Sequence, residues 1–125
     1  MDTEIRNNLI SAIRAGMDLD TPDSCSIDAE KCRSILQIAA KQSVLQIVCV
    51  GLKRMGAPAE VFKEYELSRL KAARRFVLQN DALDKISVAL NDAQIPFIPL
   101  KGAVLRQLYP APELRSSSDI DVLVK

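Results

Sequence analysis

Two acidic residues near the end of the sequence, Asp119 and Asp121, have a spacing that suits metal binding. Their neighbours are residue types that favour a β-strand, namely Ile120, Val122, Leu123 and Val124. Because alternate residues of a strand point to the same side, the two carboxylates can be presented together. Carboxylate oxygens are ligands that Mg²⁺ prefers, and bound Mg²⁺ in turn holds substrate phosphates. The pair therefore predicts a Mg²⁺ site, although the same spacing also fits the polar rim of a strand whose acids face water.

A glycine corner precedes the acidic pair. Gly102 lies directly after the strand-like run Ile95–Leu100 and opens a segment with helical spacing. A glycine at the start of a helix lets a phosphate approach the backbone, where N–H groups donate to anions. Lys101 adds a full positive charge beside it. The corner is a candidate phosphate site, and the alternative is a glycine that only relieves a tight turn.

Composition excludes several other kinds of site. The absence of histidine removes Ser-His-Asp and Cys-His catalysis and the usual zinc ligand. The three cysteines, Cys25, Cys32 and Cys49, are odd in number and form no C-x-x-C pair, so we expect a reducing cytoplasm rather than a disulfide framework. The net charge is +1, from 17 Lys and Arg against 16 Asp and Glu, which is no strong nucleic-acid signature. Any site for a polyanion must therefore be local.

The elements that would position these residues begin with three helices. Apolar spacing predicts a helix over Asp2–Met17, then a connection over Asp18–Asp28. Two further helices are predicted to meet near Lys41–Ser43, with Ser43 as the cap of the second, which spans Val44–Met55.

A long helix is predicted next, after a boundary at Gly56 and Pro58. One stripe continues along it at steps of three or four residues, so one face can stay against a partner throughout. We expect Leu70, Ala73 and Val77 to widen that stripe, and a break near Asn80 is the open alternative. The stripe consists of Val61, Tyr65, Ser68, Ala72, Phe76, Gln79, Leu83, Ile86 and Leu90.

The last part of the chain changes character. Two prolines exclude a helix over Ile95–Leu100 and leave a short strand. A helix over Lys101–Tyr109, a polar loop over Arg115–Ser118 and a strand over Ile120–Val124 follow. The predicted fold class is α+β and mostly α, with an N-terminal helical bundle and long helix, then the first strand-helix-strand of a mixed sheet. The predicted domains are a helical region, 1–93, and the start of the sheet-containing core, 94–125.

Two motifs occur together in that core: L-K-G-A at 100–103 and R-S-S-S-D-I-D-V-L-V at 115–124. With the residues between them, they resemble the nucleotidyltransferase superfamily that includes DNA polymerase beta, and in particular its branch of uncharacterised bacterial nucleotidyltransferases. The resemblance in motifs covers 99–125. It implies that the strand-helix-strand is the beginning of a nucleotidyltransferase-like mixed sheet.

The resemblance also implies roles for particular residues. Asp119 and Asp121 would be the catalytic, metal-binding carboxylates and would hold two Mg²⁺ ions, with Mn²⁺ as the alternative. Gly102 would line the triphosphate of a nucleoside triphosphate, with Lys101 beside it. Further nucleotide or structural contacts would come from Arg115 and Ser118.

Two departures from the family pattern bear on activity. Ala103 stands where many members have Ser, so a hydroxyl contact to phosphate is missing. The superfamily also takes a third carboxylate from a later strand, and this sequence ends at Lys125. We therefore expect an N-terminal portion of a longer protein, inactive without that third carboxylate.

The expected function is metal-dependent transfer of a nucleotidyl group from a nucleoside triphosphate to an acceptor that no residue identifies. The alternative is a non-catalytic helical module that binds a nucleotide or a protein on a degenerate nucleotidyltransferase core. The first residues carry acids and no long apolar run, which predicts no signal peptide, no membrane partner and a cytoplasmic location. An uncovered apolar stripe on the helices would allow a homo-oligomer.

Overall fold

Three short helices form the first part of the computed structural model, which describes residues 1–19, 27–117 and 119–125. Helix α1 spans Thr3–Gly16, α2 spans Ala29–Lys41 and α3 spans Leu45–Arg54. The first two begin at acidic caps, Asp2 and Asp28, whose side chains accept hydrogen bonds from backbone N–H groups of the first turn. The three predicted helices are therefore present.

The boundary between α2 and α3 differs from the prediction that Ser43 caps α3. Ser43 adopts a left-handed backbone with φ 59°, and Val44 takes the N-cap position without a side-chain hydrogen bond. The N–H of Val44 bonds to the carbonyl of Ala39 and that of Ser43 to the carbonyl of Ala40. This pair of bonds closes the end of α2 in a Schellman motif, so Ser43 ends one helix rather than starting the next.

The core of this region lies where α1 and α3 come closest. Gly51 of α3 packs directly on the backbone of Ala12, and Gly16 of α1 packs on the backbone of Ile47, so that neither glycine has room for a Cβ atom. Small residues at such crossings let helix axes approach and bury the larger side chains around them. The largest fully buried side chains are Ile35, Leu36, Leu52, Val48, Val61 and Cys32.

Gly56, with a φ of 84°, ends the preceding segment, and a 3₁₀ helix over Ala59–Tyr65 follows it. This 3₁₀ helix leads into α4, which spans Glu66–Asp92 without a break at Asn80. Along α4 the predicted stripe residues from Ser68 to Leu90 are all partly buried. Leu70 and Val77 were expected to widen the stripe and instead are 53% and 62% exposed. The inner face of α4 is thus narrower than its sequence predicts.

The last part of the chain is a β-hairpin with short helical turns between its strands. Strand β1 spans Phe97–Leu100 and pairs antiparallel with β2, Asp121–Val124. The predicted helix over 101–109 is divided into α5, Gly102–Leu105, and a 3₁₀ turn over Arg106–Leu108, and another 3₁₀ turn spans Pro112–Leu114. The mostly helical α+β fold class is confirmed.

The chain divides into two compact units, Met1–Arg69 and Leu70–Lys125, with the boundary inside α4. The candidate site lies in the second unit. No helix in the described parts of the chain has both the length and the apolar character needed to cross a membrane.

Candidate functional site

The register of the hairpin brings the two predicted motifs together. Leu100, the last residue of β1, lies opposite Asp121, the first residue of β2. Lys101 follows Leu100 directly, and its Nζ atom lies 3.6 Å from Oδ2 of Asp121. The glycine corner and the acidic motif, which are separated in sequence, are therefore neighbours in the structure.

Asp121 lies on the more open face of the hairpin. Directly opposed residues of an antiparallel pair share a face, so Asp121 shares its face with Leu100, Ile98 and Leu123. All three of those side chains are exposed, whereas on the other face Phe97, Pro99 and Val122 are partly buried and only Val124, at the end of β2, is exposed. The Asp121 side chain is itself 41% exposed, so solvent and solutes can reach its carboxylate.

Asp119 lies outside the strand ladder. The structure begins β2 at Asp121, and Asp119 is an exposed residue of the preceding loop. The Ser117 hydroxyl donates a 3.4 Å hydrogen bond to the Asp119 carbonyl, which connects this residue to the loop. Strand alternation therefore determines which face of the hairpin carries Asp121, but it does not apply to Asp119. That the two carboxylates lie on the same side stays a prediction.

Gly102 is buried against the same loop. A Cβ atom built on it would lie 2.6 Å from the Oγ atom of Ser117 and 3.1 Å from Nη1 of Arg115. The missing side chain is therefore what lets the corner and the 115–117 loop pack together. It also brings the Arg115 guanidinium to the corner, while its contact with a nucleotide stays a prediction.

The backbone of Lys101 is strained. Its φ of 50° and ψ of −116° lie in a region that residues with a side chain rarely adopt. This conformation turns the chain from β1 into α5 and leaves the Lys101 side chain beside Asp121. Backbone strain of this kind is found mainly at functional sites, because at other positions it lowers stability without any functional benefit.

Two further residues connect the corner to the loop, and sequence reasoning missed both roles. Arg106 donates from Nε to the Gly102 carbonyl at 3.1 Å and from Nη2 to Oε1 of Gln79 at 2.9 Å. Gln79 in turn donates from Nε2 to the Ser117 carbonyl at 2.9 Å. The sequence did contain one indication of this role: Gln79 lies within the apolar stripe of α4, and a polar residue there needs a hydrogen-bond partner.

The corner carries a concentration of positive charge. Lys101 and Arg115 lie at Gly102, and Arg106 is bonded to its carbonyl. Burial, and secondly the nearby charge of Arg115, lower the pKa of Arg106 from its usual value. An anionic ligand would relieve the repulsion among these cations.

The remaining candidates contribute less to this picture. Ser118 lies outside the described residues. Cys32 and Cys49 are free thiols, and burial raises the pKa of Cys49 to about 11 and also raises that of Cys32, so both are protonated at neutral pH. Nucleophilic cysteine chemistry is therefore not supported at either position.

The metal-binding potential rests on the carboxylate pair. Carboxylate oxygens suit Mg²⁺, and the ammonium group beside Asp121 shows that a cation can be accommodated at this carboxylate. Over the ranges that the structure describes, no three His, Cys, Asp or Glu side chains cluster closely enough to hold one ion. The described residues therefore do not enclose a metal ion, and a metal shared by Asp119 and Asp121 stays a prediction.

A comparison with protein-family models finds a match over residues 28–125, which is more than three quarters of the chain. The matching family is described as an uncharacterised nucleotidyltransferase. The matched range contains both motifs of the site. No curated protein and no solved structure matches the chain significantly.

Proposed function

The chain belongs to the family of uncharacterised nucleotidyltransferases, and on that premise we propose that it uses Mg²⁺ and a nucleoside triphosphate to transfer a nucleotidyl group to an acceptor. The observation that carries the proposal is the hairpin register, which sets the cationic glycine corner against Asp121. A triphosphate needs both features side by side, because its phosphates require cations and its metal requires carboxylates.

The proposed site consists of residues from the two motifs. The metal would be held by Asp119 and Asp121. Bound there, Mg²⁺ supplies a positive charge that neutralises the phosphate oxygens during displacement. The triphosphate would be held at the corner by Lys101, Gly102 and Arg115, and the family resemblance implies Ser118 as a further contact.

The chain's own residues would bind and orient the substrate. Lys101 would exchange the Asp121 carboxylate for a phosphate oxygen, while Gly102, by lacking a side chain, leaves room for the Arg115 guanidinium to bind phosphate at the corner. An acceptor oxygen would then attack the α-phosphorus, form a new O–P bond and break the bond to the oxygen that leaves with pyrophosphate. Positioning of this kind accounts for much of the catalysis in phosphoryl transfer.

The test is pyrophosphate release by the full-length protein supplied in turn with ATP, GTP, CTP and UTP, with Mg²⁺ or with EDTA. We expect release that requires Mg²⁺ and at least one of the four nucleotides. Mg²⁺-dependent nucleotide binding without release would favour a second candidate, a module that binds and does not transfer. That candidate is favoured by the absence of a three-residue metal cluster among the described residues.

The substitution Gly102→Ala is expected to weaken nucleotide binding more than it weakens the fold. The new Cβ would displace the ends of two side chains, Ser117 and Arg115, which can rotate away at a cost of less than about 1 kcal/mol. The substitution would move Arg115 away from the corner where we propose that it binds phosphate, so we expect the affinity for Mg²⁺-ATP to fall about tenfold. Calorimetric titration and urea unfolding measure the two effects. Equal nucleotide affinity in the variant and the wild type would contradict a phosphate site at this corner.

Two substitutions of Lys101 separate its backbone role from its charge. Lys101→Gly removes backbone strain that costs the folded protein about 1–3 kcal/mol. The added flexibility of glycine in the unfolded chain offsets about 0.5–1 kcal/mol of that gain in stability. Lys101→Met keeps the strain and removes only the charge. We expect both variants to bind Mg²⁺-ATP more weakly and only Lys101→Gly to unfold at higher urea. Undiminished binding in Lys101→Met would show that the ammonium group does not contact the phosphates.

A further inference from the structure

Arg106 is an unusual residue to find inside this unit. Arg106 is 7% exposed, and among the described residues it is the one charged residue that is buried. Buried charges normally require a paired opposite charge, yet the ion pairs found across the described ranges do not include Arg106. Other interactions must therefore hold the guanidinium group at this position.

The guanidinium group is instead held by neutral partners. It lies over the ring of Phe76 at 5.5 Å from the centroid, a cation–π contact. Its Nε and Nη2 atoms donate in two directions, to the Gly102 carbonyl and to the Gln79 side chain. A planar group with several fixed donors can hold two partners at a set separation, which a lysine cannot do.

Gln79 completes a continuous chain of hydrogen bonds. Its Oε1 atom accepts from Arg106, and its Nε2 atom donates to the Ser117 carbonyl. Both ends of the amide are therefore used, which fixes its orientation. The series runs from the Gly102 carbonyl through Arg106 and Gln79 to the loop that precedes Asp119.

We propose that Arg106 and Gln79 are positioning residues that fix the spacing between the Gly102 corner and the loop leading to Asp119, so that phosphates and metal can be held at once. This inference rests on the proposed function. Neither residue would touch the substrate. Arg106 is buried and Gln79 is partly buried, and both donate hydrogen bonds to the segments that would touch it.

The two residues control different parts of the site, which gives the proposal a specific signature. Arg106→Met keeps an unbranched chain over Phe76 and removes both side-chain hydrogen bonds. Gln79→Glu keeps an acceptor for Arg106 and removes the donor to Ser117. The first change should release both segments, and the second should release only the loop.

Amide hydrogen exchange in the full-length protein tests this signature without relying on activity. In Arg106→Met we expect exchange at least about tenfold faster in peptides covering both 100–106 and 114–120. In Gln79→Glu we expect faster exchange in 114–120 alone. Matched controls are Arg75→Met and Gln107→Glu, which make the same changes at exposed positions of the same unit.

A titration with Mg²⁺-ATP on the same variants connects the spacing to the site. We expect about tenfold weaker binding in both Arg106→Met and Gln79→Glu, and unchanged binding in the two controls. Exchange that is unaltered in both segments, or that rises equally throughout 70–125, would overturn the positioning role. A wild-type protein that binds no nucleotide would instead overturn the proposed function, and the exchange data would still decide on the spacing role.

Discussion

Asp121→Asn is expected to reduce Mg²⁺-dependent pyrophosphate release by at least about a thousandfold, equivalent to about 4 kcal/mol of transition-state stabilisation. The substitution keeps the size of the side chain and its place at the start of β2, opposite Leu100. It removes the negative charge that would hold a divalent cation. We expect Asp119→Asn to have a comparable effect, because two carboxylates would share the metal.

The matched control is Asp84→Asn, which makes the same change at an exposed position of α4 in the same unit. It should leave pyrophosphate release unchanged. Titration of Mn²⁺, followed by its electron paramagnetic resonance signal, should show weaker metal binding in both site variants and not in the control. Release and metal binding that are indifferent to both site substitutions would show that the acidic pair is not the metal site.

Gly51→Ala is expected to lower the free energy of unfolding by about 3 kcal/mol. A Cβ atom on Gly51 would overlap the carbonyl group of Ala12 in α1, and a backbone carbonyl cannot rotate out of the way as a side chain can. The helices α1 and α3 would have to separate, which opens the core around Val48 and Leu52.

The sign of this effect is what makes it informative. In a helix without such a contact, alanine in place of glycine raises stability by about 1 kcal/mol. The matched control is Gly56→Ala, where the Cβ atom meets nothing within 4 Å and only the left-handed φ of 84° opposes the change. Urea unfolding followed by circular dichroism should rank Gly51→Ala well below Gly56→Ala. A Gly51→Ala variant as stable as the wild type would contradict the close crossing of α1 and α3.

Much of the helical architecture could be predicted because it depends on local signals. The helix predicted over Asp2–Met17, the connection ending at Asp28 and the boundary at Gly56 all follow from a few neighbouring residues, and the structure has helix ends close to each of them. The partly buried stripe of α4 followed from its spacing alone. The width of that stripe could not be predicted from spacing. Leu70 and Val77 are apolar and yet exposed, because exposure depends on whether another element packs against them.

The sequence motifs provide the candidate residues of the site but not the residues that support them. Lys101, Gly102, Asp119 and Asp121 were identified from two short motifs, whereas the proximity of Lys101 to Asp121 depends on the register of the hairpin. The role of Arg106 was not predicted, because the apolar stripe around Gln79 indicates that this glutamine needs a partner and does not indicate that the partner is Arg106, which is distant in sequence. Long-range hydrogen bonds of this kind leave little trace in a single sequence.

The central claim is that the glycine corner and the acidic motif form one site. A crystal structure of the full-length protein with Mg²⁺ and a non-hydrolysable ATP analogue tests it most directly. We predict the triphosphate against Gly102 and Lys101, with the metal bound by both Asp119 and Asp121. A nucleotide bound elsewhere, or two carboxylates turned to opposite sides of the hairpin with the metal on neither, would contradict it.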